Sequence, residues 1–471
     1  MKTIPSKMLL MWVIGLVLTL GGCGTTSSTL ASTNSSTTTS TVAQATSSNI
    51  TLNDQSVSIT QRGTYTLNGT ISNGQVIVDV WEWNEVRLQL AGVDITSKES
   101  SPILIKSGKA TIELVSGTSN TLTDGVYDEN AEENATIYAQ DDLMIEGEGN
   151  LKINANENDG ITSKDDLTIK SWNIEVQAAD DGIRGKDSLT IDGGKINVVA
   201  GGDGLKSDHE TKGAIVINGG EVSISAGSDG AEAYKTITIN GGTLNILKSY
   251  EGLESEVITI NDGEISIVSS DDGINISDSS STASEGMMHR NGTASGRILT
   301  INGGKITIDA GADGLDANGA IEMNGGTVLV FGPTDNGNAA LDYDETFTVN
   351  GGTLLAFGSN GMAMNVSNGN QNSVLIGLSS QQNAGAKFSL VDSNGNTILE
   401  ATPTKAWSSV VVSTAGLKLN SEYRYLVDGV EVGSFTLTSS VMSSGTSGGM
   451  MWGHGGMWGG RPSGTPQRPS W

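Results

Sequence analysis

The feature that most constrains this chain is a dipeptide that keeps returning. An acidic residue followed by glycine recurs at Asp159, Asp181, Asp203, Asp229, Glu251, Asp272 and Asp313, at spacings of 22, 22, 26, 22, 21 and 41 residues. A second series runs beside it through Asp192-Gly193-Gly194, Asn218-Gly219-Gly220, Asn240-Gly241-Gly242, Asn261-Asp262-Gly263, Asn302-Gly303-Gly304, Asn324-Gly325-Gly326 and Asn350-Gly351-Gly352. Two series that keep step define a structural unit of about 22 residues. Within it, runs such as LTIDGGKINVV and ITINGGTLNIL alternate apolar and polar residues, which is the period of a β-strand. Glycine and asparagine between the runs supply the positive φ that sharp corners need. Hairpins and stacked coils would both use such units. Strict repetition with no helical period favours an all-β fold, a parallel β-helix in which each unit is one coil.

The β-helix is expected over residues 55–365, with its Ile, Leu and Val positions stacking inward. Such a slim core explains how a chain of 471 residues manages with 63 glycines and 4% aromatic residues. The interval of 41 marks a surface excursion at 277–296. Beyond Asn370 the repeat stops, and residues 371–440 read as a small antiparallel β-domain or cap. The Gly/Met/Trp-rich tail, 441–471, is expected to be disordered.

At the N-terminus, Lys2 and Lys7 precede an apolar run from Met8 to Leu20, too short for a comfortable membrane span, and then LTLGGCG. This resembles the bacterial lipobox, so residues 1–22 are expected to be a lipoprotein signal peptide and Cys23 to be lipidated. As the only cysteine, Cys23 can form no internal disulfide. The Ser/Thr-rich stretch 23–54 is expected to be a flexible tether holding the folded part off the outer face of the membrane.

With 53 acidic and 26 basic residues the net charge is −27, which argues against nucleic acid and anionic membranes as partners and for cations or neutral ones. Membrane contact is then expected only through the lipid anchor. In a parallel β-helix one carboxylate per coil forms a column spaced at ~4.8 Å. Neighbours there repel by roughly 3 kcal/mol at an effective dielectric of about 20, so the column calls for a counterion. Calcium, with ligands at about 2.3–2.6 Å, fits between stacked oxygens. The candidate ligands are Asp181, Asp203, Asp208, Asp229, Glu232, Glu251, Glu254, Asp271, Asp272, Asp313 and Asp316. Three histidines and one N-terminal cysteine argue against zinc or copper. The competing reading is that each acid-glycine pair is a solvated turn.

The strings GGDGLKSD (201–208), SYEGLES (249–255) and SSDDGINIS (269–277), with the repeated ITINGG, resemble a family of bacterial secreted β-helix proteins known as carbohydrate-binding domain-containing. The resemblance covers about residues 75–440. It implies a right-handed parallel β-helix like that of pectin-degrading lyases, calcium along it, and non-catalytic binding of cellulose or pectin-like acidic polysaccharides, such as those of plant cell walls. For calcium it points to Asp203, Asp208, Glu251, Glu254, Asp271 and Asp272. Asp229-Gly230-Ala231 departs from the pattern by placing alanine where the aliphatic residue stands.

Neutral glucans want aromatic platforms. In VIVDVWEWNEV, Trp81 and Trp83 would share an outward strand face with Asp79 if the strand is continuous, and would either stack on sugar rings or cover an end of the solenoid. The enzymatic alternative is a calcium-dependent polysaccharide lyase, with Lys164, Arg184, Lys186 or Lys206 as the base. Those cations would equally serve as counter-charges to the column. A glycoside hydrolase would need a carboxylate pair such as Asp180/Asp181 or Asp271/Asp272. The third class is a structural surface solenoid or adhesin.

Overall fold

The computed structural model describes residues 40–42, 47–126, 132–277 and 296–446. The leader, Cys23, most of the Ser/Thr-rich stretch, nearly all of the 277–296 excursion and the tail from 447 lie outside the described residues.

Alternation of apolar and polar residues produces strands with one buried and one outward face, and these strands stack in parallel. Through most of the solenoid each coil feeds three ladders. The first runs Ile137, Ile161, Ile183, Leu205, Ala231, Leu253, Ile274, Leu315 and Leu341. A second joins Leu167, Leu189, Ile215, Ile237, Ile258, Leu299, Ile321 and Phe347. The third joins Ile174, Ile196, Val222, Leu244, Ile265, Ile306, Val328 and Leu354. None of these side chains is more than 1% exposed. Full burial of one such side chain is worth about 1.5–3 kcal/mol, so the stacked columns carry the fold. The parallel β-helix expected from the repeat is the architecture found.

Three corners separate the ladders. The acid-glycine pair turns the chain into the first ladder, a second corner leads from the first ladder to the second, and Asn-Gly-Gly joins the second to the third. At this last corner the positive φ belongs to the second glycine, as in Gly242 at +85°, and none of the asparagines has it. Their role is different from the one expected. The Nδ2 of Asn218, Asn240, Asn261, Asn302, Asn324, Asn350 and Asn370 donates to the side-chain Oδ1 of the preceding member, beginning at Asp192, at 2.7–3.0 Å. The corner asparagines therefore form a continuous amide ladder.

The glycine after each column acid is required by close approach. A Cβ on Gly204 would lie 2.6 Å from the Gly230 carbonyl oxygen and 2.3 Å from Ile224 Cγ2. Neither a backbone nor a stiff β-branched side chain yields easily. We expect Gly204→Ala to destabilise the protein by about 1–3 kcal/mol, read as a lower urea midpoint at unchanged m-value. An unshifted midpoint would mean the coils can separate at this corner.

The solenoid starts earlier than residue 55. Ser40–Val42 pairs with Val57–Ile59, and Ser47–Asn53 pairs with Gly63–Ile71, so the folded part extends into the stretch expected as tether. In Ser47–Asn53 only Leu52 is buried, which is why its composition reads as linker. At the other end Trp407–Thr414 runs antiparallel against the last coil's Thr353–Gly358 and pairs with Ser373–Gln382. A four-stranded antiparallel sheet completes this small domain. Phe357, Phe388 and Trp407 meet edge-to-face between cap and coil. Val441–Gly445 adds a parallel strand to Ser373–Gln382, so part of the segment expected as tail belongs to the cap.

Candidate functional site

The column acids are far more buried than solvated turns would be: Asp159, Asp203 and Asp229 are 1–2% exposed. One oxygen of each has a structural task. The backbone N–H of Asp181 donates to Asp159 Oδ1, that of Asp203 to Asp181 Oδ1, that of Asp229 to Asp203 Oδ1 and that of Glu251 to Asp229 Oδ1, at 2.9–3.2 Å. Asp313 N–H likewise donates to Asp272 Oδ1 at 2.8 Å. Each carboxylate thus satisfies the corner amide of the next coil. The other oxygen of Asp159 accepts from Asn134 Nδ2 and Thr162 Oγ1 at 2.9 Å, whereas that of Asp229 has no donor.

What meets that second oxygen changes along the column. On the first ladder, the position three residues after each acid is occupied by Thr162, Arg184, Lys206, Glu232, Glu254, Asn275 and Asp316, stacked in register and continued by Asp342 after the Ala339-Ala340 corner. Arg184 Nη1 lies 3.7 Å from Asp159 Oδ2, while its Nε and Nη2 donate to the two oxygens of Asp208. Lys206 Nζ is 3.4 Å from Asp181 Oδ2, 3.4 Å from Glu232 Oε2, and bonded to Asp203. Burial works against the Lys206 ammonium, yet Asp203, Asp181 and Glu232 together hold its pKa well above the usual lysine range. The first part of the column is therefore neutralised by the protein's own cations.

Beyond Glu232 the pattern changes. Among the described residues no Lys or Arg forms an ion pair with Asp229, Glu251, Glu254, Asp271, Asp272 or Asp316. Asp229, Glu251 and Glu254 each offer an oxygen, all within 4.8 Å of one another, and so do Glu251, Asp271 and Asp272. Asp229 Oδ2 is buried with no hydrogen-bond partner. Burial first, and then the neighbouring charges, push Asp229 up to about 8, Glu251 to about 10 and Asp316 to about 9. Among the described residues these carboxylates have no counterion. An array of hard oxygen donors around an orphaned buried oxygen fits a hard divalent cation.

The expected ligands therefore divide. Asp181, Asp203, Asp208 and Glu232 are placed against Arg184 or Lys206, whereas Asp229, Glu251, Glu254, Asp271, Asp272 and Asp316 are grouped without a cation. Asp313 is tied to both neighbours, its N–H donating to Asp272 Oδ1 and its own Oδ1 accepting from the Ala339 N–H. The earlier Asp124-Gly125 does not belong to the column: Ala135 is the residue that stacks on Asp159, and the Asp124 carboxylate accepts from Thr136 and from the Asn156 N–H.

The strand carrying the tryptophan motif ends at Asp79, so strand alternation does not place Trp81 and Trp83. They stand in the following turn, closed by Asn84 N–H donating to Trp81 carbonyl at 2.7 Å. Trp81 is 81% and Trp83 90% exposed, so neither covers an end of the solenoid. Trp172, at an Asn-Gly-Gly-type corner, is a third exposed indole.

A model of the carbohydrate-binding domain-containing protein family matches residues 53–289, half of the chain. The chain belongs to this family. Within the carbohydrate-binding domain-containing family, a protein of Acetivibrio thermocellus is 43% identical over 135 residues, 27% of this chain and 47% of the relative. This chain thus spans about half the length of that curated relative. A solved structure described as that of the polysaccharide lyase-like protein from C. thermocellum, a gadolinium derivative, is 37% identical and covers 45% of this chain and 85% of its own, with a TM-score of 0.39.

Proposed function

We propose that this protein is a non-catalytic polysaccharide-binding lipoprotein of the outer bacterial surface, whose acid column binds calcium from Asp229 onward. The observation that carries the calcium reading is the unpartnered, buried Asp229 Oδ2 beside Glu251 and Glu254, three carboxylates with which no described Lys or Arg forms an ion pair. Membership of a carbohydrate-binding family supports a glycan partner, cellulose or a pectin-like acidic polysaccharide. Trp81 and Trp83 supply exposed faces on which sugar rings stack. Calcium bound in the column would offer open coordination positions to uronate carboxylates, converting an acidic surface into one that attracts them. Binding without catalysis is supported by Arg184 and Lys206, two of the four candidate bases, each being held by carboxylates.

Calorimetric titration of calcium into chelator-stripped protein tests the metal, and retention on cellulose and polygalacturonate tests the partner. The expected result is calcium heat that Glu251→Gln/Glu254→Gln reduces, glycan retention, and no rise at 235 nm from unsaturated product. Absence of calcium heat would remove the metal from the reading. Absence of retention on either glycan would leave a structural solenoid, and a rise at 235 nm would make the protein a lyase.

A further inference from the structure

The corner between the first and second ladders is the part of the molecule that the calcium reading leaves unused. An open groove of ≈ 740 Å³ lies along it, bordered by Asn134, Tyr138, Lys164 and Lys186. That volume falls within the range of about 300–1,000 Å³ typical of small-ligand sites. Its chemistry stands apart from the rest of a chain with net charge −27. Lys164 and Lys186 form no ion pair among the described residues, and their corners stack directly, Lys186 N–H donating to the Ser163 carbonyl and Lys164 N–H to that of Ala139. Of the acids that line it, Asp187 is engaged by Lys212 and His209, Asp165 lies beside Asp187, and Glu132 is exposed to solvent.

Lys164 is half-buried, with its Nζ 5.6 Å from the Tyr138 ring centroid. Burial, then Arg184 and Lys186, depress its pKa, the state of an ammonium that lacks an anion. Asn134 adds the complementary group. Its Nδ2 donates to Asp159 Oδ2 at 2.9 Å, which fixes the amide, and its Oδ1 is buried with no donor. Two unpaired ammoniums and one orphaned acceptor suit a ligand that carries both a carboxylate and hydroxyl donors.

The same corner, three coils earlier, is the turn that exposes Trp81 and Trp83. At ~4.8 Å per coil that is about 14 Å along the axis, a span of a few sugar rings. An aromatic platform and a cationic groove thus share one edge of the solenoid, and the groove touches the acid column only where Asn134 meets Asp159, which is not among the candidate calcium ligands.

We propose that this edge binds an acidic oligosaccharide, with a uronate carboxylate between Lys164 and Lys186, a sugar hydroxyl donating to Asn134 Oδ1, and a flanking ring on Trp81 or Trp83. The inference rests on the carbohydrate-binding reading but not on calcium, so the two are separable.

The test is calorimetry in chelator with a galacturonate oligosaccharide and with an uncharged cello-oligosaccharide. Lys164→Gln/Lys186→Gln is expected to weaken the uronide by at least about tenfold, the scale of losing charged hydrogen bonds, with the cello-oligosaccharide unaffected. Lys164→Arg/Lys186→Arg is expected to keep the uronide, and Trp81→Ala/Trp83→Ala to weaken both sugars. Thermal melts of all three variants at the wild-type midpoint would show that the fold is intact. An unchanged uronide affinity in the Gln variant overturns the inference. Uronide binding that appears only with calcium, or binding of the neutral sugar alone, also overturns it while leaving the proposed function standing. Binding of neither sugar, with or without calcium, removes both.

Discussion

Stripped of divalent metal, the protein is expected to lose stability steadily as the pH rises from about 5 to 9, and calcium is expected to abolish that loss. Burial and like charges push the folded-state values of Asp272 to about 7, Asp229 to about 8, Asp316 to about 9 and Glu251 to about 10. Unfolded carboxyls titrate near 3.9–4.3. Between those limits the native state holds protons that the unfolded chain has released, so the derivative of unfolding free energy with pH is negative. Their contribution is fully present below about pH 4 and disappears as the pH passes through 7 to 10. One pKa unit is worth ~1.4 kcal/mol, so even two units summed over the coupled column cost about 3 kcal/mol. Calcium binds the deprotonated oxygens and stabilises by mass action, about 4 kcal/mol at a thousand times its dissociation constant. Urea midpoints at pH 5.5, 7 and 8.5, in chelator and in millimolar calcium, would show it. A chelated midpoint that climbs with pH would contradict the picture of carboxylates without a counterion.

Much of this was legible in the sequence because a coil is a sequence repeat. The spacings from Asp159 to Asp313 are the spacings of the register that joins Ile161 to Leu315, since each coil lays its corner on the last. The division of the column was also written there. Reading three residues past each acid gives Arg184 and Lys206 and then Glu232, Glu254 and Asp316. Only the parallel register shows that these residues stack on one another and over the second carboxylate oxygens. What the sequence could not convey was geometry inside a residue type. Asparagine at a corner suggests positive φ, yet its amide was needed for the ladder from Asp192 to Asn370 and the glycine two positions on took the φ. The groove was invisible for a related reason. Lys164 and Lys186 looked like counter-charges, and what sets them apart from Lys206 is that neither forms an ion pair among the described residues.

Lys206 is the residue whose loss should be felt most. Its ammonium occupies the place that a metal ion would take in later coils, bridging Asp181, Asp203 and Glu232 from two neighbouring coils and its own. The side chains of Asp181 and Asp203 are 7% and 3% exposed, so water cannot replace it. Lys206→Met keeps the stem and removes the charge, leaving buried carboxylates facing one another. Breaking a buried pair in this way costs about 3–5 kcal/mol. Lys305→Met provides the control, because Lys305 and Glu264 are 67% and 60% exposed and an ion pair of that kind is worth at most about 1 kcal/mol. The loss at Lys206 should be smaller at pH 5.5, where protonation relieves the repulsion, and calcium should restore part of it at pH 8 by filling the vacated position. Urea midpoints of the two variants, with and without calcium, carry the comparison. A Lys206→Met loss no larger than that of Lys305→Met would mean that the column tolerates uncompensated charge. The case for a metal in the coils beyond Glu232 would then lose its physical basis as well, since both rest on the same electrostatic cost.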